Sequence, residues 1–204
     1  MQFNNIIPIG DHCIIAQILK QLNIRKKAYP FDWNCYKDMI DTSIHININI
    51  INELIQVNNN LQDITLITHK MLKNSNLIFP HDDISNPDVI QKFIRRMERL
   101  YNDIIDNSKN LYILCTRFII IPKEEILNFY KTIIKYNPES KILLISGIDH
   151  PYFINLKNEN IIFKYLMNYD PKDFYDFDYS HFRPEFSKYI SSLNLTIKVP
   201  LILE

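Results

Sequence analysis

The sequence predicts an α/β protein: one three-layer domain over residues 1–204, with a mostly parallel open sheet and helices on both faces. Three observations predict it. A strand pattern near the N-terminus ends at a glycine and runs straight into an amphipathic helix pattern. The second half alternates strand, helix and strand at spacings that need parallel crossover connections. And 204 residues, 47% of them hydrophobic, can fill the core of one domain but are few for two.

The elements follow in order. Phe3 to Ile9 is an apolar run of strand length closed by Gly10. From Cys13 to Leu22, the residues Ile14, Ile15, Ile18, Leu19 and Leu22 recur at helical spacing, with Gln17, Lys20 and Gln21 opposite. Asp11 is placed to cap that helix. Arg25-Lys26-Lys27 leads into Ala28-Tyr29-Pro30-Phe31-Asp32-Trp33, a proline-punctuated segment with the only tryptophan. The stretch from Tyr36 to Leu61 alternates weakly and supports no definite element. Leu66 to Leu72 and Leu77 to Phe79 lead to Pro80-His81-Asp82-Asp83. Pro87 to Ile105 reads as a helix, apolar at Ile90, Phe93, Ile94, Met97, Leu100, Tyr101 and Ile104. Leu111 to Phe118 is a strand, Lys123 to Tyr136 a helix, and Lys141 to Ser146 a strand ending at Gly147. Asn160 to Tyr165 adds a strand, Pro184 to Leu193 a short helix, and Leu195 to Val199 a last strand.

Composition narrows the function classes. The 23 basic and 23 acidic residues cancel, so no global field draws the chain to nucleic acid or to a membrane surface. The start lacks a basic region and an apolar run of signal-peptide length, and no apolar run approaches a membrane span. Three widely spaced cysteines, Cys13, Cys35 and Cys115, argue against a disulfide framework or a zinc cluster. The expectation is a cytoplasmic protein with no metal and no cofactor, acting on a small-molecule, glycan or peptide substrate. Ile, Asn, Lys, Tyr and Phe are abundant, as in AT-rich coding sequence. Gly occurs twice, which points to Gly10 and Gly147 as places where a Cβ does not fit.

Chemistry is expected first at Cys13. Ligands of open parallel sheets bind beyond the strands' carboxyl ends, where Gly10-Asp11-His12-Cys13 falls. A thiol in the first turn of a helix meets unpaired N–H groups and the positive end of the helix dipole, which favour a thiolate. The same N–H groups, with the Gly10-Asp11 turn, can hold a developing oxyanion. Cys35 and Cys115 read as small buried hydrophobes.

A thiol nucleophile needs a base, usually histidine. His12 adjoins Cys13 but neighbouring side chains diverge at a helix start. His45 and His69 carry no local signal, and His150 follows the Gly147 strand and can reach the carboxyl edge. His181, in Asp178-Tyr179-Ser180-His181, has an aspartate three residues before it that could orient its ring. His81, followed by Asp82, is the alternative. Arg95 and Arg99, one helical turn apart, either bind an anionic group, clamp Asp32, or form a solvated face. Asp32, set between Phe31 and Trp33, points to a fixed polar contact.

Gly10-Asp11-His12-Cys13 with Ala16 and Leu19, then Arg25, Tyr29-Pro30-Phe31-Asp32-Trp33, Phe79-Pro80-His81-Asp82, and Arg95-Arg96 with Arg99 resemble the family named "putative papain-like cysteine peptidase", found in bacteria and large DNA viruses. The resemblance runs in order through about the first half of the chain. It implies a Cys–His peptidase with Cys13 as nucleophile and His81 or His181 as base. A papain fold would set an antiparallel sheet after the cysteine helix, whereas the alternating second half is more similar to SGNH and GSCFA hydrolases or to flavodoxin-like sheets. Those hydrolases place a nucleophile after the first strand and Asp-x-x-His before a late helix, as Cys13 and Asp178 to His181 stand here. The chain departs from them in using Cys for Ser, one place later, and in lacking a Gly-x-Asn-Asp block.

The expected function is a cysteine-dependent hydrolase or acyltransferase acting on an ester, thioester or amide. Two alternatives stand beside it: a non-catalytic glycan- or anion-binding module using Asp32, Trp33, Arg95 and Arg99, and a glycan-modifying transferase. The absence of a Gly-rich phosphate loop speaks against the second.

Overall fold

A computed structural model describes residues 1–10, 13–36, 43–57, 60–116, 120–152, 158–166 and 182–197. In chain order the elements are β1 (Gln2–Phe3), β2 (Asn5–Gly10), α1 (Ile14–Gln21), β3 (Cys35–Tyr36), α2 (Ser43–Leu54), α3 (Leu61–Leu72) and β4 (Leu77–Ile78). They continue with α4 (Pro87–Ile105), β5 (Asn110–Thr116), α5 (Lys123–Ile133), β6 (Lys141–Ser146), β7 (Ile161–Tyr165), α6 (Phe182–Ser192) and β8 (Thr196–Ile197).

The central sheet is parallel, in the order β2-β5-β6-β7. Gly10 lies beside Cys115 and Thr116 beside Ser146, so the strands end nearly level. The residues of β2 and β5 are buried throughout, as parallel strands covered on both faces must be. Their side chains alternate between two cores. Ile7, Ile9, Tyr112, Leu114, Ile142 and Leu144 face α2, α3, α4 and α5. Ile6, Leu111, Ile113, Cys115, Leu143 and Ile145 face α1 and α6. The architecture is therefore α/β with helices on both faces, as the sequence predicts. Two small ladders complete it: β1 runs parallel to β8, and β3 runs antiparallel to β4. Among the described residues no helix is long and apolar enough to cross a membrane.

The structure departs from the sequence reading in particular places. The weakly alternating stretch after Tyr36 contains helix α2. Ile44, Ile48, Ile51 and Leu54 form its buried stripe, a helical period hidden because Ile46 and Ile50 lie between them. Leu66 to Leu72 is the second half of helix α3, which Asn60 caps through the Gln62 N–H. The cap position of α1 is Cys13 itself, while Asp11, read as the cap, lies outside the described residues.

The glycine expectation also changes. Among the described residues no glycine has positive φ. The left-handed positions belong to Asn23 (φ 55°), Asn107 (φ 62°) and Asn194 (φ 46°). All three follow a helix C-terminus, where glycine is usual and asparagine is the tolerated substitute. An asparagine-rich, glycine-poor chain has put Asn in the positions that glycine normally takes.

Candidate active site at the carboxyl edge of the sheet

The helices that follow β2 and β5 pack on opposite faces, α1 with Ile113 and Ile145, α5 with Tyr112 and Leu144. The carboxyl ends of two strands whose helices diverge in this way are the usual place for a ligand in an open parallel sheet. Cys13 stands at this edge, 6% exposed, with φ −67° and ψ −6°. Its carbonyl accepts the Gln17 N–H at 3.0 Å, and its Sγ accepts a hydrogen bond from Gln17 Nε2 at 3.0 Å. Gln17 Oε1 accepts in turn from the Arg183 guanidinium, near the start of α6. One face of the thiol is thus fixed by a side chain from its own helix, and that side chain is fixed by another element.

A chain of buried amides holds the end of β2. Asn47, fully buried on α2, donates to the Gly10 carbonyl at 2.9 Å, and Asn34 donates to Asn47 Oδ1 at 2.9 Å. Asn34 follows Trp33, so this chain ties the Pro-Phe-Asp-Trp segment to the strand end beside Cys13. On the neighbouring strands Thr116 and Ser146 are buried, and Ser146 Oγ accepts the Ile148 N–H at 3.1 Å. His150 is fully buried there. Its Nε2 accepts the Ile121 N–H at 3.2 Å and its Nδ1 lies 3.2 Å from the Ile148 carbonyl, an arrangement that suits the neutral ring with Nδ1–H donating. Burial holds its pKa below the ordinary histidine value.

The Pro-Phe-Asp-Trp segment is held from the other side by α4. Tyr29 Oη donates to Asp103 at 2.8 Å, Lys27 pairs with the same carboxylate at 2.5 Å, and Arg99 donates to the Ala28 carbonyl at 2.6 Å. Tyr29 and Phe31 are buried in the larger core. Asp32, 1% exposed, accepts from the Arg25 guanidinium and from the Tyr29 N–H at 2.9 Å. Burial pushes its carboxyl above the ordinary carboxylate range, while Arg25, the Tyr29 N–H and Arg96 pull it back. Arg25 also lies over Trp33, 5.9 Å from the ring centre, and Trp33 meets the exposed His81 edge-on at 5.4 Å. Asp82 pairs with Lys92.

Gly10, Cys13, Asp32 and Trp33 are therefore brought to one side of the molecule by the Asn34–Asn47 chain, with His81 against Trp33. Arg99 joins the segment through a backbone carbonyl. The clamp on Asp32 is Arg25, with Arg96 contributing through space; Arg95 is exposed. A one-residue step rotates a side chain by about 100° around a helix. That sets Arg96 over Phe93, 5.2 Å from its ring, and Arg95 toward solvent. Asp11, Asp178 and His181 lie outside the described residues, as does His12. The partners that sequence reasoning missed are Gln17, Asn34, Asn47 and Arg183, while Arg96, part of the Arg95-Arg96 motif, carried no role of its own. Only Asn47 left a trace, as a polar residue within the isoleucine stripe of α2.

No curated protein and no solved structure matches the chain. A family model does match, across residues 4–167, and that span contains Cys13, the Pro-Phe-Asp-Trp segment, His81 and the arginines of α4. The sheet that this span builds is parallel, in an α/β architecture. With most of its length matched, the chain belongs to the family described as putative papain-like cysteine peptidase (DUF1796).

Proposed function

We propose that the protein is a cysteine-dependent hydrolase or acyltransferase with Cys13 as its nucleophile. The observation that carries this reading is the seat of the sulfur: at the start of α1, at the carboxyl edge of the sheet, with Gln17 Nε2 donating to it at 3.0 Å. A donor to sulfur and the positive end of a helix both favour the thiolate, the reactive form. In the reaction the Cys13 thiolate attacks the carbonyl carbon of an ester, thioester or amide. The N–H groups of α1 hold the resulting oxyanion. The intermediate collapses, the leaving group departs with the proton that the histidine took from Cys13, and water or a second acceptor, giving its own proton to the same histidine, takes the acyl group from sulfur.

For the base we favour His181, oriented by Asp178. Arg183, two residues further along the chain, binds Gln17, which binds Cys13. On the alternative side, Asp82 is engaged by Lys92 and His81 rests on Trp33. The test is acyl-enzyme trapping with p-nitrophenyl acetate and an acetyl thioester, read by intact-protein mass. One acetyl group on Cys13, absent in Cys13→Ala, is expected. His181→Ala should slow turnover about 10²–10⁴-fold and His81→Ala much less. Turnover unchanged in Cys13→Ala would refute the reading.

A further inference from the structure

The charged cluster beneath Trp33 has unspent hydrogen-bonding capacity, and its pattern describes a ligand. Asp32 Oδ2 is occupied by Arg25 and the Tyr29 N–H, but among the described residues the buried Oδ1 has no hydrogen-bond partner. Arg25 Nε and Arg96 NH1 are buried and also have none. Buried polar atoms are nearly always paired, so three such atoms in one cluster are suited to a polar ligand. Two of the three are cationic donors and one is an anionic acceptor.

Charge adds a second constraint. Arg96 interacts with Asp32, Asp82, Arg25 and Arg99. With Lys92 on Asp82, the described residues of this cluster include four cations (Arg25, Lys92, Arg96 and Arg99) against two carboxylates, an excess of two positive charges among them in a protein of zero net charge. The cluster reaches the surface through Trp33 and the exposed His81, whose rings stand edge to face.

We propose that this cluster binds a phosphate monoester that carries a hydroxyl group. The phosphate, close to a dianion at neutral pH, takes N–H groups of Arg25 and Arg96 and balances the local excess of charge. The hydroxyl donates to Asp32 Oδ1. Trp33, with His81 edge-on against it, is the aromatic side of the site. The site makes no use of the Cys13 thiol and stands whether or not Cys13 is a nucleophile. The Asn34–Asn47 chain would nonetheless keep a ligand held here close to the carboxyl edge of β2.

Trp33 is the only tryptophan, so its emission reports this site alone. The full chain is titrated with glycerol 3-phosphate, inorganic phosphate, glycerate and glycerol. Saturable change with glycerol 3-phosphate is expected, about tenfold tighter than with inorganic phosphate, with no response to glycerol. Arg96→Gln should weaken it about tenfold and Arg95→Gln should leave it unchanged. Arg96 is chosen because loss of Arg25 would strand Asp32 and endanger folding. Circular dichroism checks that Arg96→Gln remains folded, and Trp33→Phe followed by calorimetry supplies an independent readout. No saturable response to any phosphate, equal binding by Arg96→Gln, or glycerate binding more tightly than glycerol 3-phosphate would each overturn the assignment.

Discussion

Cys13 and Asp32 are both buried, and the same amide chain connects their neighbourhoods, yet they are held by opposite means. The Cys13 sulfur is held by the Gln17 amide, which Arg183 holds in turn, while Asn47 and Asn34 stand behind the Gly10 carbonyl. Asp32 is held by full charges, Arg25 in contact and Arg96 at a distance, with hydrogen-bonding atoms left over on all three. The difference teaches how a buried polar residue can be read. An amide donor fixes a reactive atom in place and still lets it change charge. A charged cluster with spare donors is costly to maintain empty, which suits a group that waits for a charged ligand.

The largest effect expected from this contrast is at Arg25. Replacing it with alanine leaves the buried Asp32 carboxylate without its contact ion pair, and should cost about 3–5 kcal/mol in urea unfolding. A loss below about 1 kcal/mol would mean that Asp32 is not held by charge. Removing the neutral support should cost less. Asn47→Ala strips the Gly10 carbonyl and the Asn34 amide of their partner, for about 1–3 kcal/mol. It should also shift Trp33 emission, because Asn34 adjoins Trp33; an unmoved spectrum would cut the proposed link between the two neighbourhoods.

A subtler test uses pH. Unfolded, His150 takes up a proton near pH 6.5; folded, burial lowers its pKa, so the folded state binds fewer protons just below that pH. The stability from neutral His150 is complete above about pH 6.5 and falls as pH drops from there toward the folded pKa. His150→Gln should flatten that part of the unfolding curve. If the slope survives, another group sets it. The smallest effect belongs to Arg95: Arg95→Ala should change stability by no more than about 0.5 kcal/mol, as for an exposed residue outside any network.

How much could be read from sequence depended on whether neighbours in the chain are neighbours in space. Strands β2, β5 and β6 are short apolar runs with clear ends, and α4 repeats its apolar residues over five turns, so their patterns were plain. In α2 the isoleucines between the buried positions mimic strand alternation, and β3 and β4 are too short to leave any pattern. The site divides in the same way. Cys13, Asp32 and Trp33 stand in compact motifs beside a glycine or a proline. Their partners come from afar: Asn47 from α2, Arg96 from α4, Arg183 from α6. Gln17 looked like an ordinary solvent-facing residue of an amphipathic helix, and only the fold shows it turned onto the sulfur. Arg95 and Arg96 differ by one residue, and only the buried face of α4 decides between them.

The most direct test of the central claim is the rate of Cys13 alkylation by iodoacetamide across pH 5–9, followed by peptide mass with Cys115 as the internal control buried in the sheet. The account predicts rapid labelling of Cys13 at neutral pH, with an inflection well below the ordinary thiol value near 8.5 and a slower rate in Gln17→Ala. Labelling of Cys13 that rises only with the ordinary thiol ionisation, unchanged in Gln17→Ala, would contradict it.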